Sequence, residues 1–424
     1  MQFHQRAFSM LIIGSMLMAP LAYAQKIEVW ANNRANSESK DVKERAMGHI
    51  VDSFKEKNPG VDVAVTVMPW QQLSPSLLRA SKSGRVPDVV MLYSPSVPMQ
   101  IAAGTLASLQ PFIDKWPKQD FSDLVRLSQN ENRAGDIFAL PWQMRVSGLM
   151  YREDLLNAVG KRPPQSLDEF AETAKITAKD DVVGIALGFS PEAPSVATGW
   201  FLTTLAGTGA KILNEDGTAA FVSPEAERLV AWVADLVNGG TDALPLNVAM
   251  QGQEQSFTLF TAKKAVFMPF SSDRLDNIRL RSGLGDAIKM VNYPGFEEGK
   301  PAPALVQSWN AAMPKGTKHP EEAWKFIEHA SSTDVQTELA KVAGYIPVRQ
   351  SSLKDPWFQT PEAANISWAV NYSSQHPLKF NFPENTETLY DVWAKMFGQV
   401  LTGQMKPEAA LAWAEVEYNR RTAR

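Results

Sequence analysis

The stretch from Gly84 to Asp114 constrains the fold more than any other part of the chain. Val89–Leu92 is a short, wholly apolar run that ends in Tyr93 and Ser94. Such a run reads as a strand covered on both faces, the kind found in parallel sheets. A short helix that stops at Gly104 follows, and Leu106 and Leu109 lead on to Pro111. Open α/β sheets place ligands beyond the carboxyl ends of their strands. Tyr93 and Ser94 stand at that place, which predicts a cleft there.

The surrounding segments repeat the alternation of strand and helix. Ile27–Trp30 reads as a strand, followed by a polar loop containing Asn32, Asn33 and Asn36. Asp41 opens a helix in which Met47, Ile50, Val51 and Phe54 fall at helical spacing, and Asn58-Pro59-Gly60 stops it. Val61, Val63, Val65 and Val67 alternate as in a half-buried strand. A second helix spans about residues 71–82. Strand-helix-strand-helix-strand favours a parallel sheet with helices on its faces. Residues 137–151 then give two apolar, strand-like pieces around Trp142, Gln143 and Arg145. A second α/β series follows: a capping pair Ser166/Glu169, a strand at 182–187, a helix opened by Ser223-Pro224, a strand at 265–268 and a helix at 320–330. The tail from about Asn385 is helical. No flexible tether joins the two series, so they read as lobes connected by strands or tight segments.

The amino-terminal residues belong to export, not to the fold. Arg6 precedes an apolar run, Met10–Ala22, and Ala22-Tyr23-Ala24 is a small-x-small cleavage site, so residues 1–24 read as a signal peptide. The run is too short to span a bilayer. The chain has no cysteine. That excludes a disulfide scaffold, thiolate metal sites, a cysteine nucleophile and a lipid-anchored amino terminus, so a periplasmic protein that is not a lipoprotein is expected. Without Arg6 the mature chain carries 41 basic against 46 acidic side chains, a formal charge of −5, and no basic tract. Nucleic acid is therefore not an expected partner. The 400 mature residues exceed one ordinary core, which favours two domains.

These pieces, in this order, resemble the extracellular solute-binding proteins of the maltose-binding-like family, which serve ATP-driven importers. The resemblance is carried by FKEKNPGVDVAV (54–65), GRVPDVVML (84–92), GTLASLQPFID (104–114), IFALPWQMRVSGLMYREDLL (137–156), RPPQSLDEF (162–170), DGTAAFVSPEA (216–226), SWNAAMPKGTKHPEEAWKFI (308–327) and GYIPVR (344–349). It implies an α/β, two-lobe periplasmic binding protein fold of type II, each lobe a mostly parallel sheet flanked by helices, with the ligand between lobes. It also implies three crossings, near 143–148, 306–310 and 344–348. The amino-terminal lobe would hold 25–143 and 311–345, the carboxy-terminal lobe 144–306 and 350–424. A monomer is expected, which closes on a carbohydrate and docks on the membrane permease subunits of an ABC importer.

A sugar site needs aromatic faces for C–H surfaces and polar side chains for hydroxyls. Of the 12 tryptophans, Trp30, Trp70, Trp142, Trp200 and Trp309 fall at expected loops or strand ends, whereas Trp232, Trp324, Trp393 and Trp413 lie in helical stripes and read as core. Trp309-Asn310 on the second crossing, Tyr93 and Ser94, and Trp30 and Asn32 at the position of the family's first ligand loop are candidate contacts. So are Ser271, Ser272 and Asp273 at a strand end, and Tyr345 and Arg349 beside the third crossing. Arg145 departs from the maltodextrin-binding pattern, where the resemblance implies an acidic residue that binds hydroxyls. A guanidinium only donates. Arg145 either binds an anionic group, with Arg34 and Arg274, or pairs with Asp273 or Glu153.

Other functions leave weaker marks. The five histidines are scattered and show no metal-ligand spacing. There is no glycine-flanked nucleophile serine and no phosphate-binding glycine loop. A binding protein without metal or cofactor is expected. An exported carbohydrate-processing enzyme with paired carboxylates, a receptor for an anionic sugar derivative or glycerol phosphate-type solute, and a chemoreceptor adaptor remain the alternatives.

Overall fold

The first strand, β1 (Gln25–Ala31), lies between β2 (Val61–Val67) and β3 (Val89–Tyr93) and runs parallel to both. This is a computed structural model that describes residues 25–132, 134–191 and 195–423; the export segment expected at 1–24 lies outside the described residues. Two helices return the chain between these strands. The first, Val42–Lys57, starts where the Asp41 carboxylate accepts hydrogen bonds from the backbone N–H groups of Lys43 and Glu44, at 2.8 and 3.4 Å. This satisfies donors that the first turn leaves without partners. It buries Met47, Ile50, Val51 and Phe54, the stripe legible in the sequence. The second, Trp70–Ser83, ends at Gly84 in the left-handed conformation, φ 68°.

The remaining strands are β4 (Ala139–Arg152), β5 (Val183–Ile185), β6 (Ala265–Ser271), β7 (Ile288–Val291) and β8 (Val306–Ala312). Their order is β2-β1-β3-β8-β4-β6-β5, with β7 also paired to β4. β5 and β6 are parallel, like the β1 pairings, whereas β8 and β4 run antiparallel to their neighbours in the middle of the sheet. The region read as two strand-like pieces is one continuous strand. Its register against β8 shifts between Pro141 and Gln143. Proline has no N–H for the ladder, and the bulge absorbs it.

β4 also joins two packed bodies. Its first part, Ala139, Leu140, Trp142, Met144 and Val146, belongs to the apolar cluster built around Ile27, Phe54, Leu92 and Leu339. Leu149 and Tyr151 belong to a second cluster with Phe170, Trp200, Leu229, Trp393 and Phe397. Met150, on the opposite face, packs with Phe257, Phe260, Met268 and Ile278. The change falls at Ser147 and Gly148. β8 runs beside β4 through this junction, and Ile346 forms a bridge to Met144, its N–H donating to the Met144 carbonyl at 3.1 Å. The segment around Ile346 lies beside β4 on the first body's side of this junction, since Met144, Tyr345, Ile346 and Val348 all belong to the first cluster. Phe358, Ile366, Ala369 and Tyr372 pack with the first cluster, while the last two helices, Thr386–Leu401 and Pro407–Thr422, pack with the second.

Gly188, just beyond β5, touches the backbone that leads to residues 253 and 254. A Cβ there would lie 2.0 Å from the Gln251 carbonyl oxygen. Backbone cannot yield as a side-chain tip can, so Gly188→Ala is expected to destabilise the protein by about 1–3 kcal/mol. A thermal melt should show a lowered midpoint, and an unchanged midpoint would contradict this packing.

Candidate functional site

Where the two bodies meet, a polar cavity is enclosed by side chains from both. The first body supplies Asn32 and Asn33 from the loop after β1, Lys43 from the first turn of its helix, Trp70 at a helix start and Tyr93 at the end of β3. β4 supplies Gln143 and Arg145, which share a face because strand side chains alternate. Trp309 of β8 stands opposite both Tyr93 and Gln143 in the ladder. The second body supplies Ser195 at a helix start, Gln253 and Glu254 at another, and Asp273 and Arg274 from the turn after β6. The enclosed space is about 50 Å³, enough for a few waters at roughly 10–15 Å³ each.

An aromatic wall forms one side. Trp70 meets Tyr93 edge-on at 5.8 Å between ring centroids, and Tyr93 lies 5.7 Å from Trp309 at an interplanar angle of 36°. Charged groups form the other side. Asp273 is almost fully buried, and its Oδ2 lies 3.6 Å from Arg145 Nη1. It also accepts from Gln143 Nε2 at 3.3 Å and from the Ser271 hydroxyl at 2.6 Å. The Arg145 guanidinium lies over the Tyr93 ring at 5.0 Å. Arg274 contacts Glu254 at 3.3 Å and lies over Phe257 at 5.0 Å. The Ser195 hydroxyl donates to Gln253 Oε1 at 2.9 Å.

These neighbours set the protonation states. Burial would raise the Asp273 carboxyl, but Arg145, Arg274 and Lys43 together hold it below the usual carboxylate range. Burial, and then Arg274, push the Lys43 ammonium down to about 8, against the opposing pull of Asp273. Burial likewise raises the Tyr345 phenol far beyond its usual value, so it stays neutral.

Of the residues singled out in the sequence, Trp309, Tyr93, Asn32, Trp70, Arg145, Asp273 and Arg274 line this cavity. The others sit around it or away from it. Asn310 is fully buried; its Oδ1 accepts from Asn130 and Ser308, and its Nδ2 donates to the Leu92 carbonyl. The hydroxyls of Ser94 and Ser272 accept from the backbone N–H groups of Ser308 and Val146, and Ser271 is bonded to Asp273. Trp142 meets Tyr345 edge-on in the first core, and Trp200 lies tilted against Trp232 in the second. The Trp30 indole donates to Glu28. Arg349 donates to the carbonyls of Ser331 and Asp120 and lies over Trp116. Trp142 and Trp200 read as candidates because they fall where loops or strand ends are expected; burial of their whole rings in apolar cores is a tertiary outcome.

Lys43, Ser195, Gln253 and Glu254 carried no signal in the sequence. Each lies in the first turn of a helix, and nothing in a helical pattern says what its end faces. A second, open groove of about 1520 Å³ also lies between residues of both bodies, among them Ile101, Phe138, Lys211 and Phe380, and shares no lining residue with the cavity. The smaller cavity is the candidate site because rings and charges converge there. Among the described residues no group of three or more His, Asp or Glu is placed to hold a metal ion.

Residues 49–365 match the family of bacterial extracellular solute-binding proteins, and the chain belongs to that family. A binding protein of Brucella abortus is 24% identical over 369 residues, covering 85% of this chain and 86% of its own. The maltose-bound protein from T. maritima superposes with a TM-score of 0.81 at 23% identity, covering 94% of this chain and 100% of that one. A solute-binding protein from Thermotoga lettingae bound with α-D-tagatose gives 0.80 at 18% identity, over 93% and 99%. The fold is the two-lobe periplasmic binding protein fold. Members of the family are binding proteins.

Two titrations follow from the charge cluster. Lys43 binds its proton more weakly in the folded chain, so stability should rise as pH increases from about 8 towards the unfolded value near 10.5. Asp273 has a depressed value, so its contribution is present above about pH 4 and lost as pH falls through its folded value. Asp273→Asn removes the charge that favours protonated Lys43 and should move the Lys43 midpoint below 8, read by NMR of the labelled lysine side chain. A midpoint left in place would show that the two groups do not interact.

Proposed function

We propose that the chain is the periplasmic substrate-binding component of an ABC-type importer, and that it traps a sugar or sugar derivative in the cavity between its lobes. The observation that carries this reading is the cavity itself: an indole and phenol wall faces polar side chains from the other body, beside the paired strands β4 and β8. Stacked rings and hydroxyl hydrogen bonds are what a sugar requires. Relatives support the class of ligand. They include a protein named for binding multiple sugars in Streptococcus mutans and solved structures holding maltose and tagatose.

Binding is a hinge motion. The amino-terminal lobe comprises 25–143 and 311–345 together with the segment carrying Phe358, Ile366, Ala369 and Tyr372, which packs on its core and was expected in the other lobe; the carboxy-terminal lobe comprises 144–306 and the tail from Leu378, with the hinge where the chain passes between them. Opening separates Asn32, Lys43, Trp70 and Tyr93 from Ser195, Gln253, Glu254 and Asp273. A solute that touches both sets binds the closed form more tightly, and that difference in affinity shifts the population. Ser96 of the first body donates to Glu387 of the second at 2.5 Å, a contact available only when the lobes are closed. The closed form then docks on the permease. The protein acts as an exported monomer, with residues 1–24 removed, and makes and breaks no covalent bond in its ligand.

A thermal-shift screen of neutral and acidic saccharides tests this, because a ligand bound only to the folded state raises the melting midpoint. Trp309→Ala should then weaken the best ligand at least tenfold, about 1.4 kcal/mol, with the fold retained by circular dichroism. Failure of every saccharide to shift the midpoint would overturn the reading.

A further inference from the structure

The charges around the cavity do not balance. Lys43, Arg145 and Arg274 face Asp273 and Glu254, three cations against two carboxylates. The carboxylates are already engaged: Asp273 with Ser271, Gln143 and Arg145, and Glu254 with Arg274. The Nε atoms of Arg145 and Arg274 are buried and hold no hydrogen bond. A guanidinium has only donors, and aromatic faces fix both of its planes here, Tyr93 under Arg145 and Phe257 and Phe270 under Arg274.

We propose that the solute is a sugar carrying one singly charged oxyanion, a carboxylate or a sulfonate, which sits between Arg145, Arg274 and Lys43 while its ring lies on the Tyr93–Trp309 wall. This inference deepens, and rests on, the sugar-receptor reading. A neutral sugar offers hydroxyl oxygens to the two guanidinia but leaves one buried positive charge uncompensated, which is costly in a closed site. One negative charge cancels it, and charge-assisted bonds from arginine to an oxyanion are the stronger kind. A doubly charged phosphate would turn the excess negative beside Asp273 and Glu254. Lys43 points the same way. Burial, and then the fields of Arg274 and Arg145, favour its loss of a proton, and an added anion opposes that loss, so anion binding and Lys43 protonation favour each other.

The test uses the unaltered protein and isothermal titration calorimetry with matched ligands. These are glucuronate and galacturonate, their neutral methyl esters, the parent hexoses, a 6-sulfonated hexose and a hexose 6-phosphate. At least one monoanion should bind ten times more tightly than its neutral counterpart. Its affinity should fall several-fold between pH 7 and pH 9.5 as Lys43, ringed by Arg274, Arg145, Asp273 and Glu254, loses its charge, while a neutral sugar shows no such fall. A preference for the carboxylates or for the sulfonate decides between the two oxyanions. Arg145→Met and Arg274→Met should each abolish the preference for charge; if either variant fails to fold, the ester comparison still decides. Neutral sugars that bind as well as or better than the monoanions would overturn this inference and leave the receptor reading standing, and so would the phosphate binding most tightly. If no sugar of any charge binds, both fall.

Discussion

Asp273 is the group on which the site depends. A carboxylate removed from water is stable only when opposite charge and hydrogen bonds replace the lost hydration. Here Arg145, Gln143, Ser271 and the fields of Arg274 and Lys43 replace it. Arg145 and Gln143 come from β4, Asp273 and Ser271 from the β6 turn, and Lys43 from the first lobe's opening helix. One buried charge therefore ties together elements from both bodies.

The sheet explains how such a group comes to lie between two bodies. β4 and β8 are the only paired strands that run through the junction among the described residues, and their antiparallel ladder continues from the first core towards the second. The bulge at Trp142 turns that indole into the first core and leaves Gln143 and Arg145 on the face shared with Trp309. Beyond the shift, ordinary strand alternation puts Trp142, Met144 and Val146 in the core and Gln143 and Arg145 at the cavity. Gly148, further along β4, admits the close approach of Trp368 and the Val291 carbonyl, so the strand can carry its neighbours tightly packed on the far side of the junction.

The aromatic wall and the charge cluster play different parts. Rings accept a sugar's apolar face with little regard for which sugar it is. Charged donors discriminate, because a ligand that fails to meet them leaves them buried and unpaired. On the proposed reading, Arg145, Arg274 and Lys43 would set specificity more than Trp70, Tyr93 and Trp309. That division separates it from a site built of acidic hydroxyl acceptors, and Arg145 is where the difference is legible in the sequence.

The sequence by itself determined the local elements and their order. Apolar spacing marks the helix that buries Met47 and Phe54, the wholly apolar run marks β3, and Asp41 and Ser166 cap the helices they precede, because these preferences are satisfied within a few residues of chain. It also marked Tyr93, Trp309, Asn32 and Arg145 as strand-end or loop groups. Only the tertiary structure decided which polar groups meet. Trp142 and Trp200 look like site residues until their rings are placed in apolar cores, and Asn310 until its amide is seen spent on Asn130 and Leu92. Lys43 and Glu254 lie more than two hundred residues apart and share one cavity. Their role arises from the field each feels from the other body, and a field across a closed interface depends on distance in space, which no local pattern encodes.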